Sequence, residues 1–105
     1  MKNEVHLKEN KEQFYSDSLE IVDLFESCIL EKNKLSRSDI NKIEAYLNKY
    51  SKIKSSVKEG IVEVYVDFLF AGRQFSNLNE KDAEKFLLYN SNHLKEIRKN
   101  IMDKR

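Results

Sequence analysis

The chain contains no proline, and only two of its 105 residues are glycine. Both residue types interrupt regular backbone, so their scarcity favours long helices. The single cysteine, Cys28, excludes an internal disulfide, and one cysteine with two histidines offers no zinc-ligand set. Basic and acidic residues nearly cancel at a net charge of +1, so no overall field attracts nucleic acid or an acidic membrane.

The hydropathy pattern of the sequence also predicts neither a signal peptide nor a membrane span. The first residues, MKNEVHLKENKEQ, show no apolar run after their lysine and therefore do not predict a signal peptide. The longest apolar run is short and interrupted by acids, so it does not predict a membrane span. We expect one cytoplasmic helical domain over residues 1–105, with residues 1–12 frayed.

The most apolar stretch is IVEVYVDFLFA, residues 61–71, and it is the expected centre of the core. Alternating valines and phenylalanines are compatible with a strand. Spacings of three and four through Ile61, Tyr65 and Phe68 instead indicate a helix. No second strand candidate exists to pair with it, and Ser55 or Ser56 can cap a helix here, so we predict a helix. A short strand that pairs in a dimer is the alternative left open.

Three further apolar stripes at helical spacing predict helices over residues 12–32 and 39–53 and from residue 80 onward. Ser36 or Ser38 can cap the second helix and Asn79 the fourth. Short polar connections make consecutive helices antiparallel neighbours, so the predicted fold is an all-α, single-domain antiparallel four-helix bundle. The first helix has an acidic outer face and the second is basic, so the two should pack side by side.

The third helix is apolar on well over half of its circumference, because Val62, Val66, Leu69 and Phe70 lie off its main stripe. One interpretation makes it the central helix, touched by the other three. The other interpretation places Val66, Phe70 and Arg73 at the border of a surface that meets a partner.

No catalytic motif stands out in the sequence. There is no glycine-rich phosphate loop and no arguable Ser-His-Asp or Cys-His spacing. Glu63 and Asp67 share a helix face, but a carboxylate pair without a pocket is weak evidence for acid–base catalysis. We therefore predict no catalytic residue, no metal and no cofactor.

His93 lies beside the seam of the fourth helix. A four-helix bundle with an exposed histidine is similar to histidine phosphotransfer domains, which carry a lysine and then a small glycine one turn later. Glu96 and Ile97 stand at those positions here. Phosphotransfer is therefore the last of the functional alternatives, beside a structural role at the seam.

The segment SSVKEG, residues 55–60, resembles the inhibitory motif of antitoxins that block Fic-domain adenylyl transferases. That motif is a serine or threonine, three residues, then glutamate and glycine, and it lies on a helix. The resemblance implies that Ser55 and Glu59 are the working residues, with Gly60 completing the motif. The implied function is that of an antitoxin or enzyme inhibitor.

The helix order and the segment DFLFAGRQFSNLNEKDAEKFL, residues 67–87, resemble the immunity proteins of pediocin-like bacteriocins. That family consists of cytoplasmic antiparallel bundles that protect the producer cell, and its C-terminal half reads the bacteriocin–receptor complex. The resemblance implies a site that consists of Phe70, Arg73, Phe75, Tyr89 and His93. The first functional hypothesis is thus a non-catalytic protein that binds and neutralises or modulates a protein partner. No nucleic-acid partner is expected, and a homodimer is left open.

Overall fold

The computed structural model describes the backbone of residues 2–31, 35–74 and 78–104, and their side chains except those of residues 2–10 and 72–74. The described residues form an antiparallel bundle of four α-helices, α1 Lys2–Glu31, α2 Arg37–Lys49, α3 Ser56–Gln74 and α4 Glu80–Lys104. The predicted fold class is confirmed. No strand occurs in the described ranges, so the strand alternative for residues 61–71 is wrong.

Two of the predicted helix starts are capped as expected. The Ser36 side chain accepts a hydrogen bond from the Asp39 backbone N–H at 3.1 Å, and the Asp39 carboxylate accepts one from the Ser36 N–H at 3.2 Å. This reciprocal capping box satisfies two donors that a helix start leaves unpaired. The Asn79 side chain likewise accepts from the Asp82 N–H at 2.8 Å, so α4 begins at Glu80.

The first helix begins earlier than predicted, at Lys2 instead of near Glu12. Its first residues include neither proline nor glycine, so mixed charge alone does not stop a helix. The fraying of residues 1–12 stays a prediction.

The second helix ends earlier than predicted, at Lys49 instead of near Ile53. The Ile53 N–H donates to the carbonyl of Tyr50, which closes a tight turn after the helix. The Lys58 amine donates to the carbonyls of Tyr50 and Ser51 at 2.9 and 3.2 Å. A lysine from the following helix therefore satisfies acceptors at the end of α2, and periodicity within α2 does not reveal this contact.

The core draws buried side chains from all four helices at spacings of three and four. Its main members are Phe14, Val22 and Phe25 of α1, Ile43, Tyr46 and Tyr50 of α2 and its C-cap, Ile61, Val64 and Phe68 of α3, and Leu94, Ile97 and Ile101 of α4. Leu30, predicted to widen the α1 stripe, is instead 84% exposed. It lies two positions beyond buried Cys28, which places it on the opposite side of the helix.

Polar contacts fix the antiparallel pairing of α1 and α2. The Lys49 amine donates to the Asp17 carboxylate at 3.0 Å, and the hydroxyls of Ser18 and Tyr46 lie 2.6 Å apart in the core. One acid of α1, Asp17, thus meets a base of α2, whereas Asp23 and Glu26 of α1 pair with Arg98 of α4. No helix in the described ranges has the length and apolar character that a membrane crossing requires.

Candidate functional site

The candidate site is a surface that we call the α3–α4 face. Its members are Glu63, Val66, Asp67 and Phe70 of α3, and Asp82, Phe86, Tyr89 and His93 of α4. Each set of four follows helical spacing, so each forms one stripe along its helix. Contacts between the two helices bring the stripes side by side.

Gly60 permits the close approach of the helices at one end of this face. A Cβ atom on Gly60 would lie 2.9 Å from both Cδ1 and Cγ1 of Ile97, and 3.5 Å from Nε2 of His93. The first two distances are shorter than van der Waals contact, so with a larger residue either the Ile97 side chain or the two helices would have to shift. Close packing is therefore sufficient to explain the glycine at this position.

His93 joins the two stripes. Its Nε2 lies 3.3 Å from a carboxylate oxygen of Glu63, and its ring stacks on Tyr89 at 6.3 Å between centroids. The side chain is only 23% exposed, and Nε2 is shielded from solvent without a hydrogen-bond partner, because the approach of Glu63 lacks hydrogen-bond geometry. This contact becomes an ion pair when the imidazole is protonated. A shielded nitrogen gives no support to the phosphotransfer alternative.

A cavity of about 260 Å³ opens between the helices at the other end of the face. Its lining consists of Asp67, Phe70, Ala71, Leu78, Asp82 and Phe86. Apolar side chains thus form most of the wall, and two carboxylates lie at it. Of the carboxylate pair that the sequence showed without a pocket, Glu63 and Asp67, only Asp67 lines this cavity.

Asp67 is electrostatically unsatisfied in the described structure. It is partly buried and forms no salt bridge with any described residue. Burial raises its pKa, the negative charge of Glu63 raises the pKa further, and His93 opposes both effects. The ionised carboxylate is therefore held in a position that disfavours it.

Three large hydrophobic side chains of the face point into solvent. Val66 is 54% exposed, Phe70 63% and Tyr89 62%. Val66 and Phe70 are therefore not covered by another described helix, and the prediction that they border a surface that meets a partner stays a prediction. The main stripe of α3 packs on α1 and α4, and no described helix covers this side.

The structure brings together three of the five residues implied by the immunity-protein resemblance. Phe70, Tyr89 and His93 lie on the α3–α4 face. Phe75 and the side chain of Arg73 lie outside the described residues. Sequence reasoning missed Asp67, Asp82 and Phe86 as members of one site; their only sequence signal was helical spacing within separate segments.

A larger groove of about 820 Å³ lies between α1 and α2 and is a weaker candidate. Two of the five carboxylates that line it, those of Asp17 and Asp23, are already paired, with Lys49 and Arg98 respectively. Cys28 lies beneath it, and burial together with two nearby carboxylates raises the pKa of its thiol to about 11. The thiol therefore stays protonated at neutral pH and is a poor nucleophile.

The segment that resembles the Fic-inhibitory motif opens α3. The Ser55 hydroxyl accepts from the Val57 N–H at 3.2 Å, and the Ser55 carbonyl accepts from the Glu59 N–H at 3.0 Å. Ser55 therefore caps the helix, and Gly60 packs against α4. The Glu59 side chain is exposed on the first turn and is free to contact another protein.

Within the described part of the chain, no group of three potential ligand side chains has the arrangement of a metal site. No protein-family model, curated protein or solved structure matches this chain. The α3–α4 face itself is therefore the basis for assigning a function.

Proposed function

We propose that this protein is a small, non-catalytic cytoplasmic protein that binds a protein partner through the α3–α4 face and neutralises or modulates it. The observation that carries this proposal is the cluster of exposed Val66, Phe70 and Tyr89 beside an apolar-walled cavity. Aromatic side chains next to a pocket are typical anchors of protein interfaces. Grouped exposed hydrophobic side chains mark interaction sites more often than scattered ones.

The specific form of the proposal is bacteriocin immunity. The resemblance to immunity proteins of pediocin-like bacteriocins implies an antiparallel four-helix bundle, and the described fold has this architecture. The implied residues Phe70, Tyr89 and His93 share one face. Both observations support an immunity role, in which the bound partner is the bacteriocin–receptor complex.

We predict that Phe70→Ala and Tyr89→Ala each remove most of the protection. The assay expresses the protein in a bacterium sensitive to a pediocin-like bacteriocin and measures the inhibitory bacteriocin concentration. Interface aromatics commonly contribute 2 kcal/mol or more, so each variant should weaken partner binding by about thirtyfold or more. Because both side chains are exposed, the thermal midpoint should barely change.

Leu88→Ala is the matched control. Leu88 adjoins Tyr89 on α4 and is equally exposed, at 63%, but lies off the α3–α4 face. Protection should persist in this variant. If Phe70→Ala and Tyr89→Ala protect as fully as the parent protein, the α3–α4 face is not the binding surface. If the parent protein itself gives no protection, immunity to the bacteriocins assayed is excluded.

The second candidate is inhibition of a Fic-domain enzyme, and the exposed Glu59 on the first helical turn favours it. If it holds, Glu59→Ala should abolish the inhibition of adenylyl transfer, measured with labelled ATP, without lowering the thermal midpoint. Lys58→Ala is unsuitable as the control, since Lys58 contacts the end of α2. Glu96→Ala, another exposed glutamate, is suitable. Undiminished inhibition by the Glu59→Ala variant would show that the resemblance to the Fic-inhibitory motif is accidental.

A further inference from the structure

The described carboxylates of the α3–α4 face have no described lysine or arginine beside them among the members of the face, and the side chain of Arg73, predicted at its border, lies outside the described residues. Among the eight residues of the face, Glu63, Asp67 and Asp82 are acidic and none is lysine or arginine. His93 is the one group there that can become positive, and it is mostly enclosed between Glu63 and Tyr89. The chain as a whole is nearly neutral, so this charge is a local property of the face.

The cavity combines this charge with aromatic surface. Phe70 and Phe86 contribute rings to its wall, and Asp67 and Asp82 contribute carboxylates. Asp82 already accepts a hydrogen bond from the Asn79 amide at 3.1 Å, whereas Asp67 has no salt-bridge partner among the described residues. A group with an apolar stem and a cationic end fits both the apolar wall of the cavity and the carboxylate of Asp67.

We infer that the occupant of the α3–α4 face is a cationic amphipathic helix of the protein partner, which inserts a lysine or arginine side chain into the cavity. The inference rests on the proposed function and specifies its partner chemistry. The methylene stem packs against Phe70 and Phe86, and the charged end meets Asp67 and Asp82. Apolar residues of the same helix cover Val66 and Tyr89.

Two other occupants fit the face less well. A second copy that docked the same face on itself would bring the carboxylates of Glu63, Asp67 and Asp82 towards the same three carboxylates of the other copy, and this like-charge contact is unfavourable. An anionic membrane would be repelled by the same three carboxylates. Charge complementarity therefore selects a cationic partner.

The raised pKa of Asp67 gives a second measurement on the free protein. The pKa of this carboxyl is raised in the folded state, so the ionised form opposes folding above that pKa, and this penalty disappears below the unfolded-state pKa. Asp67→Asn removes the penalty at neutral pH. The thermal midpoint of the free variant should therefore equal or exceed that of the parent, so weaker binding cannot be attributed to misfolding.

The test uses two synthetic helical peptides with the same leucine face, one with lysines and one with glutamines on the polar face. We expect the lysine peptide to shift the amide resonances of residues 63–71 and 82–93 and to bind more tightly than the glutamine peptide. Asp67→Asn, and separately Asp82→Asn, should weaken the binding of the lysine peptide about tenfold, because each removes one partly exposed carboxylate that the cationic end meets. Asp103→Asn, which removes an exposed carboxylate near the end of α4, should have no effect.

The outcomes separate this inference from the proposed function. Suppose that both peptides bind with equal affinity, that Phe70→Ala weakens their binding, and that Asp67→Asn and Asp82→Asn do not. The face then binds partners, but the inference of a cationic occupant is wrong. The inference is also wrong if the lysine peptide shifts only amide resonances of residues in the α1–α2 groove, because another surface then binds it. A dimer that Phe70→Ala abolishes, or binding to anionic vesicles that depends on Phe70, would show that the face has another occupant. If Phe70→Ala and Tyr89→Ala leave every interaction intact, the proposed function fails too.

Discussion

Replacement of Phe68 by alanine is expected to lower the free energy of unfolding by ~3–5 kcal/mol. Phe68 is only 4% exposed, and its ring lies 5.3 Å from that of Phe25 and 5.5 Å from that of Phe86. The substitution thus opens a cavity where α1, α3 and α4 meet. Because a small domain has a net stability of roughly 5–15 kcal/mol, this loss is a large part of the total. Equilibrium unfolding in urea, followed by circular dichroism, measures it.

Phe70→Ala provides a control of identical chemistry two residues away. Phe70 is 63% exposed, so the same deletion should change the free energy of unfolding by only about 0.5 kcal/mol. The two variants together test which face of α3 is buried. Comparable losses at both positions would show that the helix is rotated from the described orientation.

The second large effect is expected for Asn90→Asp. Asn90 is fully buried, its amide donates to the Phe86 carbonyl at 3.0 Å, and its Oδ1 has no hydrogen-bond partner. Aspartate has nearly the same shape but places an unpaired negative charge beside that carbonyl. At neutral pH we expect a loss of roughly 3–5 kcal/mol, the usual cost of an uncompensated buried charge.

The pH dependence of Asn90→Asp has a definite sign. Burial raises the folded-state pKa of the new carboxyl above its unfolded value of about 3.9. The penalty is therefore absent below about pH 3.9, grows by about 1.4 kcal/mol per pH unit above it, and levels off at the folded pKa. Below that range the protonated carboxyl can donate to the Phe86 carbonyl. Urea unfolding of parent and variant across a pH series measures the difference.

Asn90→Leu separates charge from shape at the same position. It removes both polar atoms, and the unpaired Oδ1 with them, so its stability should be unchanged or higher at every pH. A loss in Asn90→Asp that does not vary with pH, or that Asn90→Leu reproduces, would contradict the assignment of a buried, incompletely satisfied amide.

The sequence alone determined the helices and most of the core. Apolar spacing of three and four residues placed Phe25, Phe68 and Leu94 inside, and Asn90 fell on the same stripe as a polar exception. Ser36 and Asn79 marked helix starts because their side chains satisfy backbone donors within three residues. Such signals are readable because the interacting groups are close in the chain.

Only the tertiary structure decided which apolar residues form a surface. On periodicity, Val66 and Phe70 fitted a central helix as well as an exposed face, and the choice depended on where α1 and α4 pack. Likewise, Asp67 and Asp82 belong to one cavity because Gly60 lets α3 approach α4 and the antiparallel register aligns their stripes. Spacing within one helix fixes which residues share a side, but the packing of other helices fixes whether that side meets protein or water.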